Sequence, residues 1–62
     1  MSEKKIYIPF QSTSKAHEFA QKVRKLPGIS YATDYAFRGN YKVMVCGEWD
    51  DEMEKKLKNK KI

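Results

Sequence analysis

The chain has 62 residues, 40% of them apolar and 34% charged, with a net charge of +5. That length makes a single domain, residues 1–62, and a chain so short buries only about 60% of the surface its unfolded form exposes. The composition is globular rather than disordered, and it leaves no room for an enzyme with a walled pocket of about 300–1,000 Å³.

Cys46 is the only cysteine, so no internal disulfide can form, whereas small secreted domains usually carry several bridges. No apolar stretch approaches the roughly 20 residues of a membrane span, and the opening Met1-Ser2-Glu3-Lys4-Lys5 has no apolar signal-peptide core. The expected setting is cytoplasmic, with no membrane partner. Much of the positive charge sits in Lys55, Lys56, Lys58, Lys60 and Lys61, just after the acids Asp50, Asp51, Glu52 and Glu54. Such a balance favours polyanions only weakly.

In chain order, Ile6, Ile8 and Phe10 alternate with Lys5, Tyr7 and Pro9. Period two with β-branched and aromatic residues predicts a half-buried strand, its isoleucines and Phe10 facing the core. Pro9 has no amide hydrogen and limits pairing there. Ser12-Thr13-Ser14 offers a helix N-cap. Ala16, Phe19, Ala20 and Val23 then recur at helical spacing, extended by Leu26. Leu26-Pro27-Gly28 ends that helix, since proline cannot continue the ladder and glycine turns the chain.

Ile29 is expected to touch the core, and a hairpin follows whose tip is placed at Gly39-Asn40 in a type II′ turn. In the return strand Tyr41, Val43 and Val45 share one face, with Lys42, Met44 and Cys46 on the other. The outgoing strand reads either way. Tyr31, Thr33, Tyr35 and Phe37 form one face, and Ala32, Asp34, Ala36 and Arg38 form the other. Asp50 caps a last helix, with Trp49 folded over Met53. Acids in its first turn and lysines in its last suit the helix dipole. Asp51–Lys55, Glu52–Lys56 and Glu54–Lys58 are favourable i, i+4 pairs. Only Met53 and Leu57 anchor it, so its end is expected to fray.

Strand, helix, hairpin and helix give an α+β protein, β-α-β-β-α. Its three-stranded antiparallel sheet has the first strand beside the third and both helices on one face. That is a ferredoxin-like arrangement lacking its fourth strand, or keeping a vestige at Lys60-Lys61-Ile62. The passage Lys25-Leu26-Pro27-Gly28-Ile29 resembles the helix-to-strand corner of heavy-metal-associated domains. Together with Gly39-Asn40-Tyr41 and Val43-Met44-Val45, it resembles the effector-binding domains of Lrp-type regulators. The metal chemistry of the first family needs Cys-x-x-Cys after the first strand. Here that loop is Gln11-Ser12-Thr13-Ser14, and Cys46 with His17 is too small a set for a closed site. No metal or cofactor is expected. The second resemblance implies small-ligand sensing at a dimer interface, although no helix-turn-helix lies within these residues.

If Ala32 and Ala36 turn inward, Tyr31, Tyr35 and Phe37 point out of the sheet beside Tyr7, Lys5, Lys42, Met44 and Cys46. The cost is Asp34 at an inner position. In the opposite register the same aromatics are plain core. An outward aromatic face larger than a few hundred Å² rarely stays bare on a monomer, and the first strand offers a free edge. The leading expectation is therefore a non-enzymatic protein-interaction or regulatory module, self-associating as a homodimer. Its binding residues are Tyr7, Tyr31, Tyr35, Phe37 and Met44. The alternative is single-stranded nucleic acid stacked on those rings, with Lys5, Arg38 and Lys42 on phosphates. No catalytic residues are assigned: His17 has no evident nucleophile, and Cys46 reads as a filler before a reactive thiol.

Overall fold

The computed structural model describes residues 3–62. Its elements are β1 (Lys4–Phe10), α1 (Thr13–Arg24), β2 (Ile29–Phe37), β3 (Asn40–Gly47) and α2 (Asp51–Lys58). The sheet is antiparallel throughout, in the order β1-β3-β2. The chain is thus an α+β protein of the expected order, with the first strand beside the third.

Helix α1 forms where its apolar spacing placed it. Ser12 Oγ accepts from the Lys15 amide at 3.3 Å, which satisfies one of the free donors of the first turn. Ala16, Phe19, Ala20 and Val23 are all buried. They meet Ile8 of β1, Ala32 of β2, Val43 and Val45 of β3, and Leu57 of α2 in one cluster. Both helices therefore cover the same side of the sheet. Phe10 and Phe19 pack with centroids 5.2 Å apart and close the end of the core.

The corner after α1 depends on two glycines. Gly28 has φ +86° and Gly47 has φ +155°, and the Glu48 amide donates to the Gly28 carbonyl at 2.8 Å. A Cβ on Gly47 would run into the Gly28 carbonyl, and one on Gly28 into that of Glu48. This close crossing fixes the start of β2 against the end of β3.

Three expectations about the hairpin are corrected. The hairpin loop is Arg38-Gly39, one residue earlier than placed, with Phe37 opposite Asn40. Both loop residues have positive φ, +51° and +81°, which makes the turn type I′ instead of II′. Ala36 shares the inner face with Ala32 yet is exposed, because the hairpin outruns the helices that bury Ala32.

At α2, Asp50 caps as expected, its carboxylate accepting from the Met53 amide at 2.8 Å. Of the three lysine–acid pairs, only Glu54–Lys58 closes among the described residues, at 3.4 Å. Pairs worth a few tenths of a kcal/mol, as exposed ones are, do not hold two long side chains in place. The helix end is closed instead of frayed. Lys60 takes φ +59°, its amide donates to Leu57, and the Lys61 amide donates to Lys56. That is the double hydrogen bond of a Schellman cap. Lys60 Nζ then lies 4.6 Å from the centroid of Phe10, and Ile62 packs on the core. Residues 60–62 form no strand.

No described helix is long and apolar enough to cross a membrane.

Candidate functional site on the open sheet face

Strand register decides which side chains leave the core. Across the outer face, Lys5, Cys46 and Tyr31 lie in one row, Tyr7, Met44 and Thr33 in the next, and Pro9, Lys42 and Tyr35 in the third. Phe37 and Asn40 complete the face at the hairpin end. Tyr7, Tyr31, Tyr35 and Phe37 are 50%, 52%, 40% and 64% exposed, so the register that makes them core is excluded. Met44 is half-buried between its neighbours, and Cys46 is a buried free thiol.

A bulge makes this arrangement compatible with a buried start to β2. Ile29 pairs with Gly47 and Tyr31 with Cys46, so Ser30 is an extra residue. Strict alternation would put Ile29 and Tyr31 on the same face. The inserted serine lets Ile29 pack on the core while Tyr31 points out. The single Ser30 hydroxyl proton lies within reach of two acceptors, the Cys46 carbonyl of β3 at 3.2 Å and the Glu3 carboxylate just before β1. Two open clefts flank it, about 320 Å³ beside Arg24, Tyr31 and Ala32 and about 260 Å³ beside Glu3, Gly28 and Glu48.

The inner position of Asp34, costly on paper, is satisfied by a residue the sequence left unassigned. The Gln21 amide donates to His17 Nε2 at 2.9 Å, which leaves Nδ1 to carry the proton donated to Asp34 Oδ1 at 3.2 Å. The signal was present in hindsight: His17 and Gln21 are one helical turn apart on the side of α1 that faces β2. With Nε2 already occupied, this histidine is a brace for the strand. Among the described residues, no three His, Cys, Asp or Glu side chains come together as a metal site.

The charged side chains at the outer strand positions and the hairpin tip are all cationic. Lys5 and Lys42 occupy outer positions, and the Arg38 guanidinium lies 5.2 Å from the Phe37 centroid. Among the described residues none of the three enters an ion pair. No outer strand position holds Asp or Glu. Glu3, just before β1, is bonded to Ser30.

The two edges of the sheet differ. In a two-residue hairpin the flanking residues, here Phe37 and Asn40, exchange both backbone hydrogen bonds. Alternation from there turns the backbone of Tyr41, Val43 and Val45 toward β1, paired with Phe10, Ile8 and Ile6. Lys5, Tyr7 and Pro9 are left with their backbone groups directed away from the sheet. The missing N–H of Pro9 therefore costs the ladder nothing. At the opposite edge, the Ala32 carbonyl already accepts from Arg24 Nε at 2.6 Å. Scans against protein-family models, curated proteins and solved structures found nothing that matches this chain.

Proposed function

We propose that this protein is a non-enzymatic interaction module that self-associates, two copies pairing antiparallel along the free edge of β1. The observation that carries the reading is the self-complementary phase of that edge. With a two-fold axis at Tyr7, the Tyr7 backbone exchanges both hydrogen bonds with its copy. The Lys5 amide then donates to the Pro9 carbonyl of the other chain, on both sides of the axis. Neither outward donor, Lys5 or Tyr7, is left unused. The same register sets each lysine opposite a proline, so like charges do not face each other. Arg24 and the Ser30 bulge block the equivalent approach at β2.

Packing the two aromatic faces together is the competing geometry. It would bring Lys5, Arg38 and Lys42 of both copies into one interface with no carboxylate among the outer strand positions. Juxtaposed like charges of that kind disfavour association.

Sedimentation equilibrium tests the reading on the native chain and on a synthetic chain carrying N-methyl-Tyr7. That methyl group removes an edge donor and leaves the bonds to β3 in place. The native chain should dimerise with rising concentration, and the N-methylated chain should stay monomeric with the same far-UV circular dichroism. A native chain that is monomeric at every concentration would overturn the proposal. So would an N-methylated chain that still dimerises while Tyr35→Ser does not, since that pattern belongs to face-to-face packing.

A further inference from the structure

Pairing along β1 leaves the aromatic face uncovered, and in that dimer the two faces lie on the same side of one continuous sheet. We infer that this face binds single-stranded nucleic acid, with bases stacked on Tyr7, Tyr31, Tyr35 and Phe37 and phosphates met by Lys5, Arg38 and Lys42. The inference stands on the face of one chain and does not need the dimer.

Three features choose this occupant. The rings are open to solvent on a sheet whose other side packs against the helices. A polar, planar, π-faced ligand can use such rings without displacing anything, and stacking on aromatic side chains accepts any base. The second feature is charge. Acids are confined to the helices, the loops, the inner-face Asp34 and the bonded Glu3. The face itself carries only cations, so it complements a polyanion and repels a second copy of itself.

The third feature is spacing. Tyr35 and Phe37 stand two residues apart on one strand, a stride of about 6.7 Å, which a stretched single strand can match. Lys5 lies in the same row as Tyr31, Lys42 in the same row as Tyr35, and Arg38 sits on Phe37. A strand laid along β2 would therefore pass Arg38 at the hairpin end and Lys42 on the next strand, with Lys5 reaching in from β1 across β3 at the other end. A duplex hides its base faces and cannot use the rings. An acidic peptide would use the lysines alone.

The test is fluorescence anisotropy of a labelled oligo(dT) of about 10 nucleotides, within the usual range of non-specific single-strand sites. A duplex of equal length and poly-glutamate are the competitors. Binding at low salt is expected, with the logarithm of affinity falling against that of salt at a slope of about −2 for three phosphate contacts. Tyr35→Ser and Phe37→Ser should each weaken binding about tenfold, and Lys42→Gln should reduce the slope by about 0.7. Replacing Lys55, Lys56 and Lys58 by glutamine should change affinity less than twofold. Because Phe37 is the most exposed of the rings, its variant keeps the test valid if Tyr35→Ser fails to fold. The N-methyl-Tyr7 chain should still bind, which separates this outcome from that of the edge-pairing experiment. Absence of binding at low salt would overturn the inference. So would equal affinity for the duplex or poly-glutamate, or a loss that follows the α2 lysines and ignores the rings.

Discussion

The rings of Tyr7 and Tyr35 meet edge to face, their centroids 6.4 Å apart and their planes at 89°, across the central strand that separates their backbones. Tyr7 is opposite Met44 and Tyr35 opposite Lys42, so the contact is a diagonal over two residues of β3. It fastens the two edge strands together on the side where no helix helps. An aromatic pair of this geometry contributes about 0.5–1.5 kcal/mol beyond its buried area, and partial exposure places this one toward the lower end.

A double-mutant cycle with Tyr7→Ser and Tyr35→Ser should therefore return a coupling of about 0.5–1 kcal/mol. Urea unfolding below the dimerisation range is the measurement. Each single variant should stay folded, because neither ring belongs to the cluster between sheet and helices. Additive losses would mean that the rings do not brace the sheet.

Arg38 occupies the first position of a type I′ turn with φ +51°, where an L side chain with a Cβ is strained. Asparagine tolerates that conformation best after glycine. Arg38→Asn should raise stability by about 0.5–1 kcal/mol, the relief exceeding the loss of the guanidinium contact on Phe37. The same substitution should weaken oligonucleotide binding. Stability and affinity would then move in opposite directions in one variant, which thermal denaturation and anisotropy can follow side by side.

Gly47→Ala and Gly39→Ala should separate steric from conformational cost. A Cβ at Gly39 meets nothing within 4 Å, so only its φ of +81° resists substitution. The expected loss there is about 1 kcal/mol. At Gly47 the same methyl strikes the Gly28 carbonyl and the Ile29 Cα, both backbone. Backbone atoms cannot step aside, so the loss should exceed about 3 kcal/mol and abolish the cooperative transition of so small a domain. Equal effects at the two sites would contradict the close crossing of the β2 and β3 ends.

What could be read from the chain follows from how local each signal is. Helix α1 was legible because cap, apolar spacing and stop all lie within one stretch, and the pairing of β1 with β3 follows from handedness. The face of β2 was not decidable from alternation. Ile29 and Tyr31 share a parity and yet part company at Ser30, whose bulge lies between acceptors on β3 and on the residue before β1. The turn slipped by one residue because Gly39 suits either loop position, and only Arg38 accepting positive φ settles which. Asp34 looked misplaced until His17 arrived from the helix packed above it. The candidate site depended on these non-local contacts, so its residues could be named in advance but not the side of the sheet they occupy.

Glu54 gathers polar contacts around α2, and pH should reveal them. The Trp49 indole N–H donates to its Oε1 at 3.2 Å, with Lys58 at 3.4 Å and Lys4 of β1 at 3.9 Å. The indole hydrogen bond first, and then the lysine charges, hold this carboxyl below its ordinary value of 4.5 against an opposing effect of burial. A carboxyl lowered by folding leaves the unfolded chain with more bound protons in the acidic range. Its contribution is thus fully present above 4.5 and is lost as pH falls through the folded value. Glu54→Gln keeps an oxygen for Trp49 and removes the charge. At neutral pH the variant should unfold at a slightly lower urea concentration than the native chain, followed by Trp49 fluorescence. That gap should shrink steadily on acidification below 4.5, until the two midpoints meet. A gap that stays constant with pH would mean that the side-chain shape, and not the negative charge, ties the helix to β1.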